Sequence, residues 1–172
     1  MTRPIVITGF MGCGKSNIAL ALAESLGVSM VDLDHNITAR TGQTPAQLIR
    51  EEGESAFRTI ETDALREVLR AGDAGVIALG GGAWIQAMNR ELINEYGGVS
   101  VWLDVPFEVC WARIETAGED RPLGQSRSQA SDLYERRRPV YELATIHIPI
   151  TGNEDPEELI AQISRGLHRL SV

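Results

Sequence analysis

A glycine-rich loop near the start of the chain is the clearest chemical signal. Gly9, Gly14, Lys15 and Ser16 satisfy the pattern G-x-x-x-x-G-K-[ST], between the apolar run IVIT and a segment with helical spacing. In such a loop the backbone N–H groups turn toward phosphate oxygens, the lysine reaches the β- and γ-phosphates, and the hydroxyl ligates Mg²⁺. The pattern therefore predicts a nucleotide-binding loop, and a chance glycine turn is the alternative. The residues predicted to bind the nucleotide here are Gly12, Cys13, Gly14, Lys15, Ser16 and Asn17.

The use of lysine supports this interpretation. Lys15 is the only lysine among 172 residues, whereas the chain contains fifteen arginines. A compact ammonium fits between two phosphates and a backbone loop, and a planar guanidinium does not. The same count excludes a guanine-nucleotide switch protein, because its N-K-x-D base-reading motif would need a second lysine.

Two acidic residues follow the second apolar run. Asp32 and Asp34 end the segment VSMVDLD, where a parallel sheet would place its ligands. Since side chains two apart on a strand point the same way, we expect both carboxylates to face a bound nucleotide and its acceptor. A solvated acidic loop is the alternative.

Three further patterns are weaker when each is taken alone. FRTIE places Arg58 and Glu61 on one helical face, GGG spans residues 80–82 after an apolar run, and ERRRPVY places three arginines at 136–138 before a proline. The alternatives are an exposed ion pair, a tight turn between strand and helix, and a solvated arginine face.

The elements that must position these residues alternate along the chain. Apolar runs typical of strands lie at residues 4–9, 28–34, 75–79, 99–105 and 146–150. Helical spacing of apolar residues is found at residues 15–26, 44–53, 55–72, 89–97, 106–118 and 155–170. The alternation predicts an α/β fold with a parallel sheet covered by helices on both faces. The polar stretch at 117–131 is typical of a mobile loop.

Composition limits the class of protein. The net charge of −8 argues against a nucleic-acid partner and against a basic membrane-surface segment. No apolar run approaches the roughly 18 residues of a membrane span. The first ten residues lack the features of a signal peptide, and two cysteines do not make a disulfide framework. We expect a cytoplasmic protein without a membrane partner, and a monomer.

Taken together, the motifs resemble those of the shikimate kinases. GFMGCGKS, DLD, GESAFRTIE, GGG, DRPL and RRPVY stand in the family's order and at about its spacings over nearly the entire chain. The resemblance implies a three-layer P-loop kinase fold with a five-stranded parallel sheet, as in nucleoside monophosphate kinases. It implies one domain over residues 1–172, with a substrate-binding helical segment at about 34–61 and a mobile lid at about 117–131. The implied reaction moves the γ-phosphoryl group of ATP to the 3-hydroxyl of shikimate, on the route to chorismate, with Mg²⁺ as cofactor.

The resemblance also assigns roles on the acceptor side. Asp34 would bind the acceptor hydroxyl and serve as its base. Arg58 and Arg137 would pair with the carboxylate of shikimate, and Glu61 would orient Arg58. The acceptor would also contact the backbone of three glycines, Gly80, Gly81 and Gly82.

Further roles concern the nucleotide and the metal. Asp32 would hold Mg²⁺ through water, together with Ser16. Arg121 of DRPL would reach from the lid to the transferring phosphate, so that Lys15, Asp34 and Arg121 form the catalytic set. Arg113 and the GNEDP turn around Glu154 would flank the adenine.

Some residues depart from the family's pattern or lie outside it. Asn17 stands where the family usually has threonine, and its amide can still donate a hydrogen bond. Asp104 of VWLD resembles a Walker B acid but matches no functional acid of the family, so we expect no metal there. The three histidines are interpreted as surface or packing residues.

Two other functions remain open at this point. Another small-molecule kinase of the same fold, such as a gluconate kinase, would keep the loop and the first acid but would not need GGG, F-R-x-x-E and R-x-P-x-Y together. A nucleotide-binding module with degenerate catalysis is the second alternative, which the presence of Lys15, Asp34 and Arg121 argues against.

Overall fold

A five-stranded parallel sheet lies at the centre of the protein, whose computed structural model describes residues 3–117 and 126–170. The strand order is β2-β3-β1-β4-β5, and all neighbouring strands run parallel. The strands β2 and β3 thus lie on one side of β1, and β4 and β5 lie on the other. Where the chain changes sides, a crevice forms beyond the carboxyl end of β1. The strands are β1 Ile5–Thr8, β2 Met30–Asp32, β3 Val76–Ala78, β4 Val99–Asp104 and β5 Ile146–Pro149.

Helices fill the connections between the strands. They are α1 Lys15–Leu26, α2 Leu33–Thr41, α3 Pro45–Glu52, α4 Glu54–Ala71, α5 Ala87–Glu95, α6 Phe107–Ala117, α7 Arg127–Tyr141 and α8 Pro156–Arg169, with a short 3₁₀ turn at Ala83–Ile85. The strands β1 and β3 are buried along their whole length, so the core lies where helices cover both faces of the sheet. No helix within residues 3–117 and 126–170 combines the length and apolar character needed to cross a membrane.

The prediction that Asp32 and Asp34 leave one strand on the same side is wrong. The strand β2 ends at Asp32, and α2 begins at Leu33. The Asp32 carboxylate accepts a hydrogen bond from the backbone N–H of His35 at 3.1 Å, which caps the new helix. Asp34 therefore lies in the first helical turn, and the aspartates project from different elements.

The polar stretch predicted as a loop at 117–131 is also partly helical. The helix α7 begins at Arg127, because Ser126 and Gln129 form a reciprocal capping box, a signal that the sequence carries as S-x-x-Q. Pro139 does not interrupt this helix, which continues to Tyr141. The predicted lid residue Arg121 lies outside the described residues.

The phosphate-binding loop (residues 9–16) is pressed against neighbouring backbone. Gly12 has φ +75°, and a Cβ there would lie 2.7 Å from the carbonyl oxygen of Cys110 in α6. The loop therefore needs glycine at this position for its conformation and for the space it occupies. Gly27 ends α1 with φ +65°, but a Cβ at that position would meet no heavy atom within 4 Å. Gly27 therefore favours glycine only because of its left-handed conformation, and not because of limited space.

We expect Gly12→Ala to destabilise the protein more than Gly27→Ala. The substitution at Gly27 should cost about 1–2 kcal/mol, the penalty of a left-handed conformation for a residue with a Cβ. At Gly12 the overlap with a backbone oxygen should add about 1–3 kcal/mol. Urea unfolding followed by circular dichroism measures both, and equal losses would contradict the close packing of the loop on α6.

Candidate active site

The helix α1 begins inside the phosphate-binding loop with an open amino terminus. Its N-cap is Gly14, in a left-handed conformation with φ 93°, and no side chain of the described residues caps the helix. The first turn also contains no acidic residue. Backbone N–H groups at the start of the helix are thus left for an outside acceptor, and the helix dipole favours an anion there.

Lys15 lies across this loop. Its Nζ donates to the carbonyl oxygen of Phe10 at 2.9 Å and lies 3.8 Å from Sγ of Cys13. The thiol of Cys13 points into the protein, since this residue is 3% exposed. Cys13 therefore contributes its backbone to the loop, and a backbone acceptor holds the ammonium over the concave side of the loop.

A cavity of 330 Å³ opens above the loop and brings the two aspartates to it. Lys15, Ser16, Asp32 and Asp34 all line this space. The same cavity is bordered by Met11, Gly12, Gly14, Asn17, His35, Leu79 and Gly81. Although Asp32 and Asp34 leave different elements, the turn from β2 into α2 directs both toward the phosphate-binding loop.

Ser16 and Asp32 place two side-chain oxygens next to each other in the lining of this cavity. The Ser16 hydroxyl donates to Oδ2 of Asp32 at 2.5 Å. Hydroxyl and carboxylate oxygens suit Mg²⁺, which usually takes one or two protein ligands and completes its shell with water and phosphate oxygens. Residues 3–117 and 126–170 contain no cluster of three or more His, Cys, Asp or Glu side chains that could hold a metal alone. The donor set thus fits a magnesium ion that arrives with a phosphate ligand.

A second cavity, of 320 Å³, adjoins the first. Gly14 and Asn17 line both, and Arg113 and Glu154 border only the second. Its wall also includes Ile18, Ile150 and Leu159, so one side is apolar. A flat, partly apolar group could lie here while its phosphates reach the loop. The structure thus brings Arg113 and Glu154, the residues predicted to flank the adenine, to the border of one cavity.

The carboxylate of Glu154 closes the turn that borders this cavity. It accepts hydrogen bonds from the backbone N–H groups of Thr151 at 2.6 Å and Gly152 at 2.9 Å, and from the Thr151 hydroxyl at 2.7 Å. These donors, led by the Thr151 backbone, lower the pKa of Glu154 to about 2. The residue therefore shapes the turn, a role that sequence reasoning missed.

At the end of β3, charged side chains lie against two of the three glycines at 80–82. Arg58 Nη1 bonds to Oε2 of Glu61 at 2.7 Å, so the pair predicted on one helical face is formed. A Cβ at Gly82 would overlap the Arg58 guanidinium, and one at Gly80 would lie 2.6 Å from Oδ1 of Asp34. At Gly80 and Gly82, side chains of the site thus occupy the volume that a Cβ would fill, so a larger residue there would displace Asp34 or Arg58.

The helix α7 supplies one of its three consecutive arginines, at 136–138, to the same place. Arg137 is 9% exposed and donates from Nη1 to the carbonyl oxygen of Gly81 at 3.2 Å. Arg136 is exposed, and Arg138 turns toward the sheet. The structure therefore agrees with the register that singles out Arg137.

Tyr141 is a site residue that sequence reasoning used only as a spacing marker. One helical turn after Arg137, its hydroxyl also donates to the carbonyl oxygen of Gly81. Burial raises the pKa of this phenol, so it stays protonated and acts as a donor. The spacing R-x-P-x-Y is the signal that could have found it, because residues four apart on a helix share a face.

Glu61 is an acid whose pKa is raised by its surroundings. The residue is 1% exposed, and this burial raises the pKa of its carboxyl to about 7, while the charges of Arg58 and Arg137 pull the value down and that of Asp34 pushes it up. Because the pKa of Glu61 lies near neutral pH, the charge of this carboxyl, and with it the net charge around Arg58, changes with pH.

Asp104 lines neither cavity. Its carboxylate pairs with Arg138 and His147, and His147 stacks on the Trp102 ring with centroids 4.3 Å apart. His147 is thus a packing residue, as predicted, whereas the exposed His35 borders the first cavity.

Comparisons with known proteins agree on one family. A family model described as shikimate kinase matches residues 11–168. A shikimate kinase of Thermobifida fusca (strain YX) is 38% identical over 172 residues, covering 96% of this chain and 96% of that protein. A solved shikimate kinase from Acinetobacter baumannii in complex with shikimate superposes with a TM-score of 0.90 at 35% identity, covering 100% of this chain and 96% of that chain.

A more distant neighbour bears on the fold alone. A gluconokinase from Sinorhizobium meliloti 1021 superposes with a TM-score of 0.66 at 21% identity, covering 99% of this chain and 95% of that chain. Together with the observed sheet, these neighbours confirm the predicted P-loop kinase fold. The likeness to a gluconokinase gives no support to gluconate as the acceptor.

Glu61→Gln should change how stability depends on pH. The pKa of Glu61 rises from 4.5 to about 7 on folding, so the folded state binds the proton more tightly than the unfolded state. As pH rises from 4.5 to 7, the contribution of Glu61 to the free energy of unfolding therefore falls. The variant lacks this slope, so its stability relative to the unmodified protein should rise between pH 4.5 and 7 and then level off. Urea unfolding across that range measures the difference.

Glu54→Gln is the matched control, since Glu54 pairs with the same guanidinium at 3.1 Å from a more exposed position. Parallel stability curves for the unmodified protein and Glu61→Gln would show that the buried carboxyl does not titrate in this window.

Proposed function

The chain belongs to the shikimate kinase family, and on that premise we propose that it transfers the γ-phosphoryl group of ATP to the 3-hydroxyl of shikimate, forming 3-phosphoshikimate and ADP. One observation carries the assignment of the acceptor. Two arginines from different helices, Arg58 and Arg137, converge on the glycines at 80–82, beside Asp34 and across from the phosphate-binding loop.

The converging arginines suit a small anionic acceptor. Guanidinium groups bind carboxylates through paired, charge-assisted hydrogen bonds, and two of them fix both the position and the orientation of the ligand. Arg58 is kept in place by Glu61 at 2.7 Å, and Arg137 by the carbonyl oxygen of Gly81 at 3.2 Å. An acidic chain of net charge −8 needs such local positive charge to attract an acidic substrate.

Phosphoryl transfer depends on positioning and on neutralising charge. In the proposed reaction, the 3-hydroxyl oxygen of shikimate attacks the γ-phosphorus, the bond between that phosphorus and the bridging oxygen of ADP breaks, and Asp34 takes the hydroxyl proton. Lys15 and the open start of α1 stabilise the charge on the phosphates. Arg121, outside the described residues, is proposed to reach the transferring phosphate from the lid.

Ser16 and Asp32 are the residues proposed to hold Mg²⁺, Asp32 through water. A bound magnesium ion would neutralise charge on the phosphates of ATP. Arg113 and the turn closed by Glu154 are proposed to flank the adenine. Asn17, in place of the family's usual threonine, lies at the edge of both cavities and is proposed to contact the nucleotide there.

These roles assign different functions to different segments of the chain. We propose that residues 34–61, which form α2, α3 and the start of α4, act as the acceptor-binding segment, and that residues 117–131 include the lid. We also propose a cytoplasmic monomer, because both described cysteines are unpaired and buried, as suits a reducing compartment that supplies ATP.

The acceptor is tested by ADP release with Mg²⁺·ATP in the presence of shikimate, gluconate, AMP or no acceptor. We expect turnover with shikimate at least about a hundredfold above the others, because a site built to pair with a substrate group rejects analogues that leave its buried polar groups unpaired. Preferential turnover of gluconate would favour the related sugar-acid kinase function. Nucleotide binding without turnover of any acceptor would indicate a degenerate binding module.

The carboxylate clamp is tested by Arg58→Ala and Arg137→Ala. Each should weaken shikimate binding by about 2–5 kcal/mol, the usual loss when one partner of a desolvated charge pair is removed, and should leave ATP affinity nearly unchanged. Arg136→Ala is the matched control, because that side chain is exposed on the same helix. Isothermal titration measures both ligands, and equal sensitivity at Arg136 and Arg137 would refute the register.

A further inference from the structure

We propose that Asp104 is a positioning residue for the acceptor, which acts by anchoring Arg138 and so fixing the part of α7 that presents Arg137. The inference rests on the proposed function, since it concerns the residue assigned to the carboxylate of shikimate. Asp104 itself lines neither the cavity above the phosphate-binding loop nor the one beside it, so its role is indirect.

The anchor is a shared carboxylate at the end of β4. One oxygen of Asp104, Oδ2, lies 3.2 Å from Nη2 of Arg138 and 2.8 Å from Nε2 of His147. The Asp104 side chain is 14% exposed, whereas its partners Arg138 and His147 are each about half exposed, so the carboxylate is the shielded member of these contacts. Because β4 pairs with β1, which leads into the phosphate-binding loop, the anchor ties α7 to the strands that carry the nucleotide site.

Arg137 and Arg138 hold α7 from two directions. Consecutive residues on a helix point about 100° apart, and here one guanidinium meets the carbonyl oxygen of Gly81 while the other meets Asp104. Two contacts at that angle define the rotation of the helix about its axis. Loss of the Asp104 contact would remove one of these two restraints and leave the orientation of Arg137 to the remaining contacts of α7, which include the bond from Tyr141 to Gly81.

The stretch of α7 next to these arginines is weakened by Pro139. Proline has no N–H group, so this helix lacks the backbone hydrogen bond to the carbonyl of Glu135. A helix with a missing bond at that point depends more on side-chain contacts to keep its last turn in place. The Arg138 contact lies directly beside the gap.

Trp102 supports the same turn from the sheet. Its indole stacks on His147 at 4.3 Å and on Tyr141 at 6.3 Å between centroids, and the Arg138 guanidinium lies 5.7 Å from the centre of the ring. Tyr141 in turn donates to the carbonyl oxygen of Gly81. The Asp104 anchor and the acceptor loop are therefore joined through one packed layer of side chains.

The test compares Asp104→Asn and Arg138→Met with the unmodified protein. Both keep much of the side-chain volume and remove the ionic contact, and Met retains an apolar stem over Trp102. We expect the KM for shikimate to rise about three- to tenfold, within the range by which residues outside a site modulate it, with the KM for ATP changed less than about twofold. The double variant should be no worse than the worse single variant, since both remove the same contact.

Glu108→Gln is the matched control. Glu108 pairs with Arg127 at 2.6 Å, an exposed ion pair at the other end of α7, and its loss should leave both KM values unchanged. Hydrogen exchange gives a readout independent of substrate, because amides at 140–143 should exchange faster in Asp104→Asn than in Glu108→Gln.

Equal increases of KM for ATP and shikimate, unchanged KM values, or the same effect in Glu108→Gln would overturn the positioning role while leaving the proposed function intact. An unmodified protein that binds ATP but does not phosphorylate shikimate would instead refute the proposed function and remove the premise of the inference.

Discussion

The half of the site that we propose for the acceptor depends on a steric constraint, the close approach of charged side chains to backbone that has no Cβ atoms. Asp34 and Glu61 crowd against Gly80, and the Arg58 guanidinium occupies the space beside Gly82. Between them, the carbonyl oxygen of Gly81 receives Arg137 and Tyr141. Any side chain at the outer two positions would displace a charged group, so the glycines at 80–82 allow Asp34, Glu61 and Arg58 to lie close to this loop.

The same constraint also connects the glycines at 80–82 with the phosphate-binding loop. Gly81 borders the cavity above the phosphate-binding loop, and a Cβ there would lie 3.3 Å from the backbone nitrogen of Met11 within that loop. The two loops follow neighbouring strands, β1 and β3, whose parallel pairing holds their carboxyl ends side by side. The pairing of β1 with β3 therefore fixes the distance between the phosphate-binding loop and the glycines at 80–82.

Much of the fold was predictable because local signals agreed with the tertiary structure. The helix predicted at 15–26 has those bounds in the structure, and all five predicted strands are present. The strands β1 and β3 are buried along their whole length, whereas β2 is half-buried and β5 alternates between buried and exposed residues. The geometry of Asp32 and Asp34 was predicted wrongly, because an aspartate at a strand end can also cap a helix, and a strand pattern cannot reveal which occurs. Two features of the site could not be predicted from residue spacing. The carboxylate of Glu154 closes an irregular turn, and Arg137 and Tyr141 share the carbonyl oxygen of Gly81, which is distant in sequence.

The single lysine has a consequence for the chemistry of the protein surface. Reactive acyl donors in a cell modify ε-amines and leave guanidinium groups unchanged, so a chain whose other fifteen basic side chains are arginines offers them one lysine target. That target is hydrogen-bonded to the Phe10 carbonyl within the loop. Acylation at Lys15 would remove the positive charge that we propose to face the phosphates. Each acylated molecule would then lose its activity, while the unmodified molecules would keep both their activity and their surface charge.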